Sequence, residues 1–455
     1  MPANTNVRLQ NEVIYSVFVR DHTQEGTFRA LIGDLPRIHA LGCDIVWLLP
    51  IHPLGEKNRK GSLGSPYANR DYRGINPEYG TMEDFRALVD TIHTEGMRCM
   101  IDVVYHHTSP DSVLWEAHPE WFYRKPDGRP GNHVGDWSDV VDLDFDQPAL
   151  WDYLIETLVG WARVVDGFRC DVASLVPVGF WERARRAVAE VNPDCVWLAE
   201  TVHRSFGAEM RRRGLTYMSD TEGYRAFDIE YSYDIWETFE RWLAGAAPLS
   251  HLLDLLDFQD SAYPTGFNKL RYLENHDQPR IASRVTDDAA LRALTALIYF
   301  LKGTTLVYAG QEVGAEHTPT LFDRDPVDWT VQHDLATLMR QLSAFKHERL
   351  GTDDLLRYVA DDEHDIAFVY REPSPAASSD ATPSSDTPSG TAPAGPSSDD
   401  AAPSRYLGVF PLRGRGAEVS VDLPDGAYRD FLTDTDVPVA NGRLTCGSAP
   451  LILAY

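Results

Sequence analysis

The sequence predicts an α/β fold: a (β/α)8 TIM barrel with a small insertion after strand three and a C-terminal antiparallel β domain. Three observations carry that expectation. Short apolar runs alternate with amphipathic stretches of helical period eight times along the first 350 residues. Beyond about residue 355 this gives way to short alternating segments separated by turn residues, the texture of antiparallel strands. Four of the early apolar runs also end in unusual polar groups, where the strands of a parallel barrel build an active site.

The first strand is expected over 13–19, followed by a helix over 27–41 with Phe28, Leu31, Ile32, Leu35 and Ile38 at helical spacing. Strand 45–49 precedes helix 82–95, and strand 97–104 precedes helix 148–164. Strand 167–170 leads into helix 178–191, and strand 195–199 into a short helix near 206–213. The sixth strand is read at 215–219, with a helix near 235–243. Strand 270–273 with helix 289–301, and strand 305–308 with helix 333–349, close the set. The catalytic barrel therefore covers 1–104 and 148–350, the inserted domain 105–147, and the C-terminal β domain 351–455. Residues 373–404 are rich in Pro, Ser, Ala, Thr, Asp and Gly; lacking apolar bulk, they are expected to be disordered and to interrupt the β domain.

Composition narrows the function classes. The chain has 455 residues, is 43% apolar and carries a net charge of −27, so it can bury a large core but would repel phosphate backbones and acidic lipid. No nucleic-acid or membrane partner is expected. Only six lysines occur among 42 basic residues, a balance that fits either a high-salt surface or drift toward arginine in a GC-rich genome. The five cysteines form no metal-binding spacing, and the first residues carry no secretory signal. The expectation is reduced thiols in a cytoplasmic protein. Oligomeric state is left open.

Four polar segments close predicted strands: Asp102-Val-Val-Tyr-His106-His107, Gly167-Phe-Arg169-Cys-Asp171, Trp197-Leu-Ala-Glu200, and Glu274-Asn275-His276-Asp277. A parallel barrel brings them to one rim, where Asp171, Glu200 and Asp277 converge. Clustered carboxyls raise one another's pKa, and a protonated carboxyl beside an ionised one is what retaining glycoside hydrolysis requires. Arg169, two residues before Asp171, points to the same side of its strand and can keep that carboxylate ionised.

In that order the segments resemble the signature segments of the α-amylase family, glycoside hydrolase family 13. The loop Gly64-Ser-Pro-Tyr67, Asp71-Tyr72 and Asn76-Pro-Glu-Tyr-Gly80-Thr81 is similar to that family's loop after strand two. The resemblance implies Asp171 as nucleophile, Glu200 as general acid/base and Asp277 as a grip on sugar hydroxyls. It implies Tyr67, His107 and His276 as contacts to the sugar at the cleavage point, with Asp102 and Arg169 completing the substrate-binding set. It implies hydrolysis of α-1,4 bonds in starch fragments or maltodextrins; an α-glucosidase, a glucan-transferring enzyme and a non-catalytic binding barrel are the alternatives.

Three departures shape the expectation. His106 stands where the family usually presents an Asn oxygen to a structural calcium, and calcium prefers oxygen ligands. No metal ligand and no cofactor are therefore expected, and any calcium would rest on Asp102 and Asp142-Leu-Asp144. Val172-Ala173-Ser174 after the nucleophile is closer to the neopullulanase and cyclomaltodextrinase group and to small intracellular α-amylases than to many secreted α-amylases. The insertion after strand three is short. Its Trp115, Trp121, Phe122, Tyr123 and Trp137 suit either sugar platforms or a mini-core, and His118 and His133 are expected to be solvated.

Overall fold

The computed structural model describes residues 1–2, 4–135, 137–373 and 405–455. The expectation of disorder for 373–404 falls, apart from Pro373, outside the described residues.

Eight parallel strands close into a barrel: β1 (Val13–Val17), β2 (Ile45–Leu48), β3 (Arg98–Val103), β4 (Gly167–Cys170), β5 (Val196–Ala199), β6 (Ile229–Tyr231), β7 (Lys269–Arg271) and β8 (Thr304–Tyr308). Each pairs with its neighbours in sequence, and β8 returns to β1 with Val13 opposite Thr305. The strands are buried along nearly their whole length, as a sheet covered by helices on its outer face requires. The outer helices bury one stripe each; in Met82–Thr94 that stripe is Phe85, Leu88, Val89 and Ile92, and Thr81 with Asp84 forms its capping box.

The sixth strand corrects the sequence reading. Residues 215–219 form no strand; they are a loop in which the Met218 amide donates to the Ser174 carbonyl at 2.7 Å. The strand is Ile229–Tyr231, and its fully buried Glu230 disguises it. A buried carboxyl is costly unless paired, and Lys269 on β7, also fully buried, supplies the partner. Its Nζ lies 2.5 Å from Asp220, 3.3 Å from Glu230 and 3.8 Å from Asp234. The first expected helix also divides, into Phe28–Ile32 and Leu35–Ala40, with Pro36 at the start of the second piece. A helix over Leu249–Ala262 has no counterpart in the sequence reading.

The segment after β3 contains a two-stranded ribbon, His107–Thr108 with Val141–Asp142, and two helical turns. Among the described residues, the C-terminal domain is one antiparallel sheet of eight strands: β9 (Leu355–Asp361), β10 (Ile366–Glu372), β11 (Tyr406–Pro411), β12 (Ala417–Ser420), β13 (Gly426–Asp430), β14 (Thr435–Ala440), β15 (Arg443–Cys446) and β16 (Leu451–Ala454). Their order is β9-β10-β11-β16-β13-β14-β15-β12. Alternation along β10 assigns its faces: Ile366, Phe368 and Tyr370 join the domain's own core, while Ala367 and Val369 join the core shared with the barrel. Phe410 meets Phe300 at 5.6 Å, and buried Arg371 ties Asp354 to the Phe300 carbonyl. No helix among the described residues is long and apolar enough to cross a membrane.

Candidate active site

Strands β3, β4 and β5 deliver the central charges to the C-terminal rim. Arg169 on β4 and Asp102 on β3 lie opposite each other in register, both without exposed surface. Arg169 Nη1 donates to both Asp102 oxygens at 2.9 Å and to Asp171 Oδ1 at 2.8 Å. Its Nη2 lies 2.8 Å from Glu200 Oε2, at the end of β5. One buried guanidinium thus gathers three carboxyl groups from three strands.

The backbone turns sharply after Asp171. Val172 adopts a left-handed conformation, φ 35° and ψ 44°, which a β-branched residue adopts only under tertiary constraint. That turn aims the Val172 amide at Glu200 Oε2, to which it donates at 2.8 Å. Asp171 Oδ2 takes no bond from Arg169 and has His107 Nε2 3.9 Å away.

A second chain of contacts comes from β7 and the loop after β2. The Tyr67 hydroxyl bonds Asp102 Oδ2 at 3.1 Å and His276 Nε2 at 2.7 Å, and its ring lies nearly parallel to that imidazole. His276 Nε2 is also 3.0 Å from Asp277 Oδ2. The Asp277 side chain is 41% exposed and reaches into the cleft.

Burial pushes the Glu200 carboxyl up to about 8, with repulsion from Asp171 and Asp277 adding to the rise and Arg169 opposing it. Burial also raises Asp171, to about 7, again against Arg169. The two share one guanidinium and titrate together, so the first proton taken up on acidification belongs to the pair and rests more at Glu200. Once Glu200 is neutral, Asp171 loses a repelling neighbour and stays ionised to lower pH. Burial works against the Asp277 charge as well, but the His276 contact wins and holds its pKa below the usual value. Burial lowers His106 and His107 to about 4, leaving both imidazoles neutral.

These groups surround a cavity of ≈ 400 Å³, within the usual range for small-molecule sites. Of the residues expected from sequence, Asp171, Glu200, Asp277, Tyr67 and His107 line it. Asp102, Arg169 and His276 do not; they are buried behind the lining. Val172, noted after the nucleophile, lines it too, and the lining includes residues not expected from sequence: Val202, His203, Phe206 and Tyr233 toward Glu200, and Lys60, Asp139 and Phe322 toward Tyr67. These residues come from separate loops and helix starts, and none belongs to a motif with a local signal.

The insertion's aromatics divide between the cavity wall and a mini-core. Trp137 lines the cavity and packs on His107 at 5.3 Å. Trp121 and Phe122 are buried, Phe122 against Trp115 at 5.0 Å, and form a mini-core. His133 is not simply solvated: its backbone amide and Nδ1 reach Asp142 Oδ2 at 2.7 and 2.8 Å.

The donors available for a structural calcium fit it poorly. His106 Nδ1 lies 3.1 Å from His107 Nδ1 and 3.8 Å from Asp142 Oδ1, while His133 occupies the other Asp142 oxygen. Calcium takes six to eight oxygens, and here imidazole nitrogens surround a single carboxylate. Among the described residues no cluster of three or more His, Cys, Asp or Glu side chains could hold a metal ion.

Comparison with known proteins agrees with this geometry. A family model described as "Alpha amylase, catalytic domain" matches residues 13–128 and 133–368, and one described as "Bacterial Alpha amylase C-terminal domain" matches 401–453. The crystal structure of an alpha-amylase from Lactobacillus plantarum superposes with a TM-score of 0.89 at 43% identity, covering 99% of this chain and 100% of that one. A maltogenic alpha-amylase from Thermotoga neapolitana does so with 0.82 at 30%, covering 98% and 99%. An alpha-amylase from Haloarcula japonica is 26% identical over 76% of this chain and 51% of its own length. A maltosyltransferase from Myxococcus xanthus, acting on alpha-1,4-glucan and maltose 1-phosphate by its name, is 32% identical over 49% and 35%. The chain spans about a third to a half of the length of the first curated relatives it matches. With a closed eight-stranded barrel, the four rim segments in family order and a family model covering most of the chain, this protein belongs to the alpha-amylase family.

Proposed function

We propose that the protein is a retaining glycoside hydrolase that cleaves α-1,4 bonds in starch fragments or maltodextrins. The observation that carries this reading is the shared Arg169 guanidinium, which holds the Asp171 and Glu200 carboxyls together at 2.8 Å each. Arg169 engages Asp171 Oδ1, so Oδ2 is the attacking atom at the anomeric carbon. Glu200 Oε2 takes the Val172 amide, so Oε1 carries the proton given to the leaving oxygen and later withdraws one from water. Tyr67 supplies an aromatic face for the sugar, neutral His107 donates to its hydroxyls, and Asp277 grips them as the ring flattens. No step requires a metal, and we propose that activity is independent of calcium. Five buried free cysteines suit a reducing, cytoplasmic compartment.

Transfer to a sugar acceptor is the second reading, favoured by the apolar and aromatic Glu200 side, where Phe206 and Tyr233 can hold a sugar against water. One experiment addresses both: maltoheptaose digestion followed by proton NMR and chromatography. Hydrolysis with retention releases the α-anomer first, because two displacements restore configuration; an initial β-anomer refutes the covalent mechanism. Early products longer than the substrate establish transfer.

A further inference from the structure

The loop after β2 crosses the rim and is fixed at both ends. On one side Leu63 and Gly64 amides donate to the Phe322 carbonyl at 3.0 and 3.2 Å, and Ser62 bonds Asp323 through its amide and hydroxyl at 2.7 and 2.6 Å. Gly61 (φ +61°) lies against Phe322, whose backbone oxygen would be 2.6 Å from any Cβ placed there. Buried Arg20 fastens the base by donating to the Gly64 and Leu321 carbonyls, each at 3.1 Å. On the other side Asn58 Nδ2 donates to the Ser138 carbonyl at 3.4 Å, and Lys60 Nζ lies 2.9 Å from Asp139 Oδ1. Lys60 also sits 5.8 Å from the Phe322 ring centre. The Asp139 side chain is only 6% exposed, and its segment is held against His107 through Trp137.

The chemistry assigns a direction to this barrier. The leaving sugar departs on the side of the acid, toward Val202, Phe206 and Tyr233 next to Glu200. The sugar attacked by Asp171 would lie over Tyr67 and His107; Lys60 shares the Tyr67 loop, Phe322 holds that loop at Gly64, and Asp139 follows Trp137, which packs on His107, so the non-reducing continuation would run toward Lys60, Asp139 and Phe322. Those three residues come from three separate loops and meet across that continuation. We infer that the Lys60–Asp139 pair walls off the non-reducing side of the cleft, so the enzyme works from chain ends and releases a short sugar of fixed length. The inference rests on the hydrolase reading and adds the position of attack. The pair acts by filling space: an ion pair with Lys60 35% exposed contributes little energy, but both side chains are tethered by loops that cannot swing aside independently.

The test uses reducing-end-labelled maltoheptaose, free or capped with a 4,6-ethylidene group on its non-reducing sugar. The full-length protein is expected to cleave the capped substrate at least about tenfold more slowly and to release one dominant short unlabelled sugar at early times. Lys60→Ala and Asp139→Ala are each expected to shrink that difference and broaden the products, and Lys60→Asp with Asp139→Lys to restore it. Equal rates on both substrates, or a difference unaltered by Lys60→Ala, overturn the inference and leave the hydrolase reading standing. Failure to cleave either substrate refutes the hydrolase reading itself.

Discussion

Replacing Asp171 with Asn removes the proposed nucleophile's charge while keeping its shape, and the consequence should be measurable on Glu200. Both carboxyls touch Arg169 at 2.8 Å, which fits the roughly 5 Å separation of a retaining pair. A unit charge at about 5 Å, with an effective dielectric constant of about 20, contributes about 3 kcal/mol. At 1.36 kcal/mol per unit, that is about 2 pKa units. In the wild type Glu200 is pushed up to about 8 by burial and by its acidic neighbours. Losing the Asp171 charge favours the Glu200 anion, so the sign is downward and Glu200 is expected near about 6 in Asp171→Asn. Carboxyl carbon NMR titration of protein labelled at glutamate reads the shift directly, without needing activity. In the wild type the alkaline limb of kcat/KM should fall near the same 8, since the acid must keep its proton. A Glu200 pKa within about half a unit of its wild-type value in the variant would show that the Asp171 charge does not reach it, and would refute the pairing.

Glu200→Gln should lose about 10²–10⁴ in kcat/KM on maltoheptaose. It should lose far less in forming the glycosyl-enzyme from α-maltosyl fluoride, whose leaving group needs no acid, and azide should speed release of that intermediate. Dialysis against EDTA should leave starch hydrolysis and melting temperature unchanged; a loss in both, restored by micromolar calcium, would show that oxygens other than those around Asp142 complete a site. Lys269→Met removes the cation facing Asp220, Glu230 and Asp234 and should cost about 3–5 kcal/mol by urea denaturation at neutral pH. That deficit should shrink toward acid pH, because burial raises the Asp220 and Glu230 pKa values and the orphaned carboxyls take up protons readily. A deficit below about 1 kcal/mol would mean that water reaches the cluster.

The sequence by itself determined the barrel and which polar residues converge at its C-terminal rim. Seven of its eight strands coincide with or overlap short runs legible in the chain, and each of the four polar segments lies within or just after one of them. Arg169 and Asp171 share a strand side by parity alone, so their contact needed no tertiary information to foresee. Strand β6 was legible only once folded, because Glu230 breaks its apolar pattern and is compensated by Lys269, 39 residues on. Tertiary structure alone also decided that Asp102, Arg169 and His276 lie behind the cavity wall, that Trp137 rather than Trp121 faces it, and that Lys60 meets Asp139 across the cleft. Each of these depends on which distant residue excludes water from a group or neutralises its charge. Such energies belong to pairs brought together by folding, and no spacing within one segment encodes them.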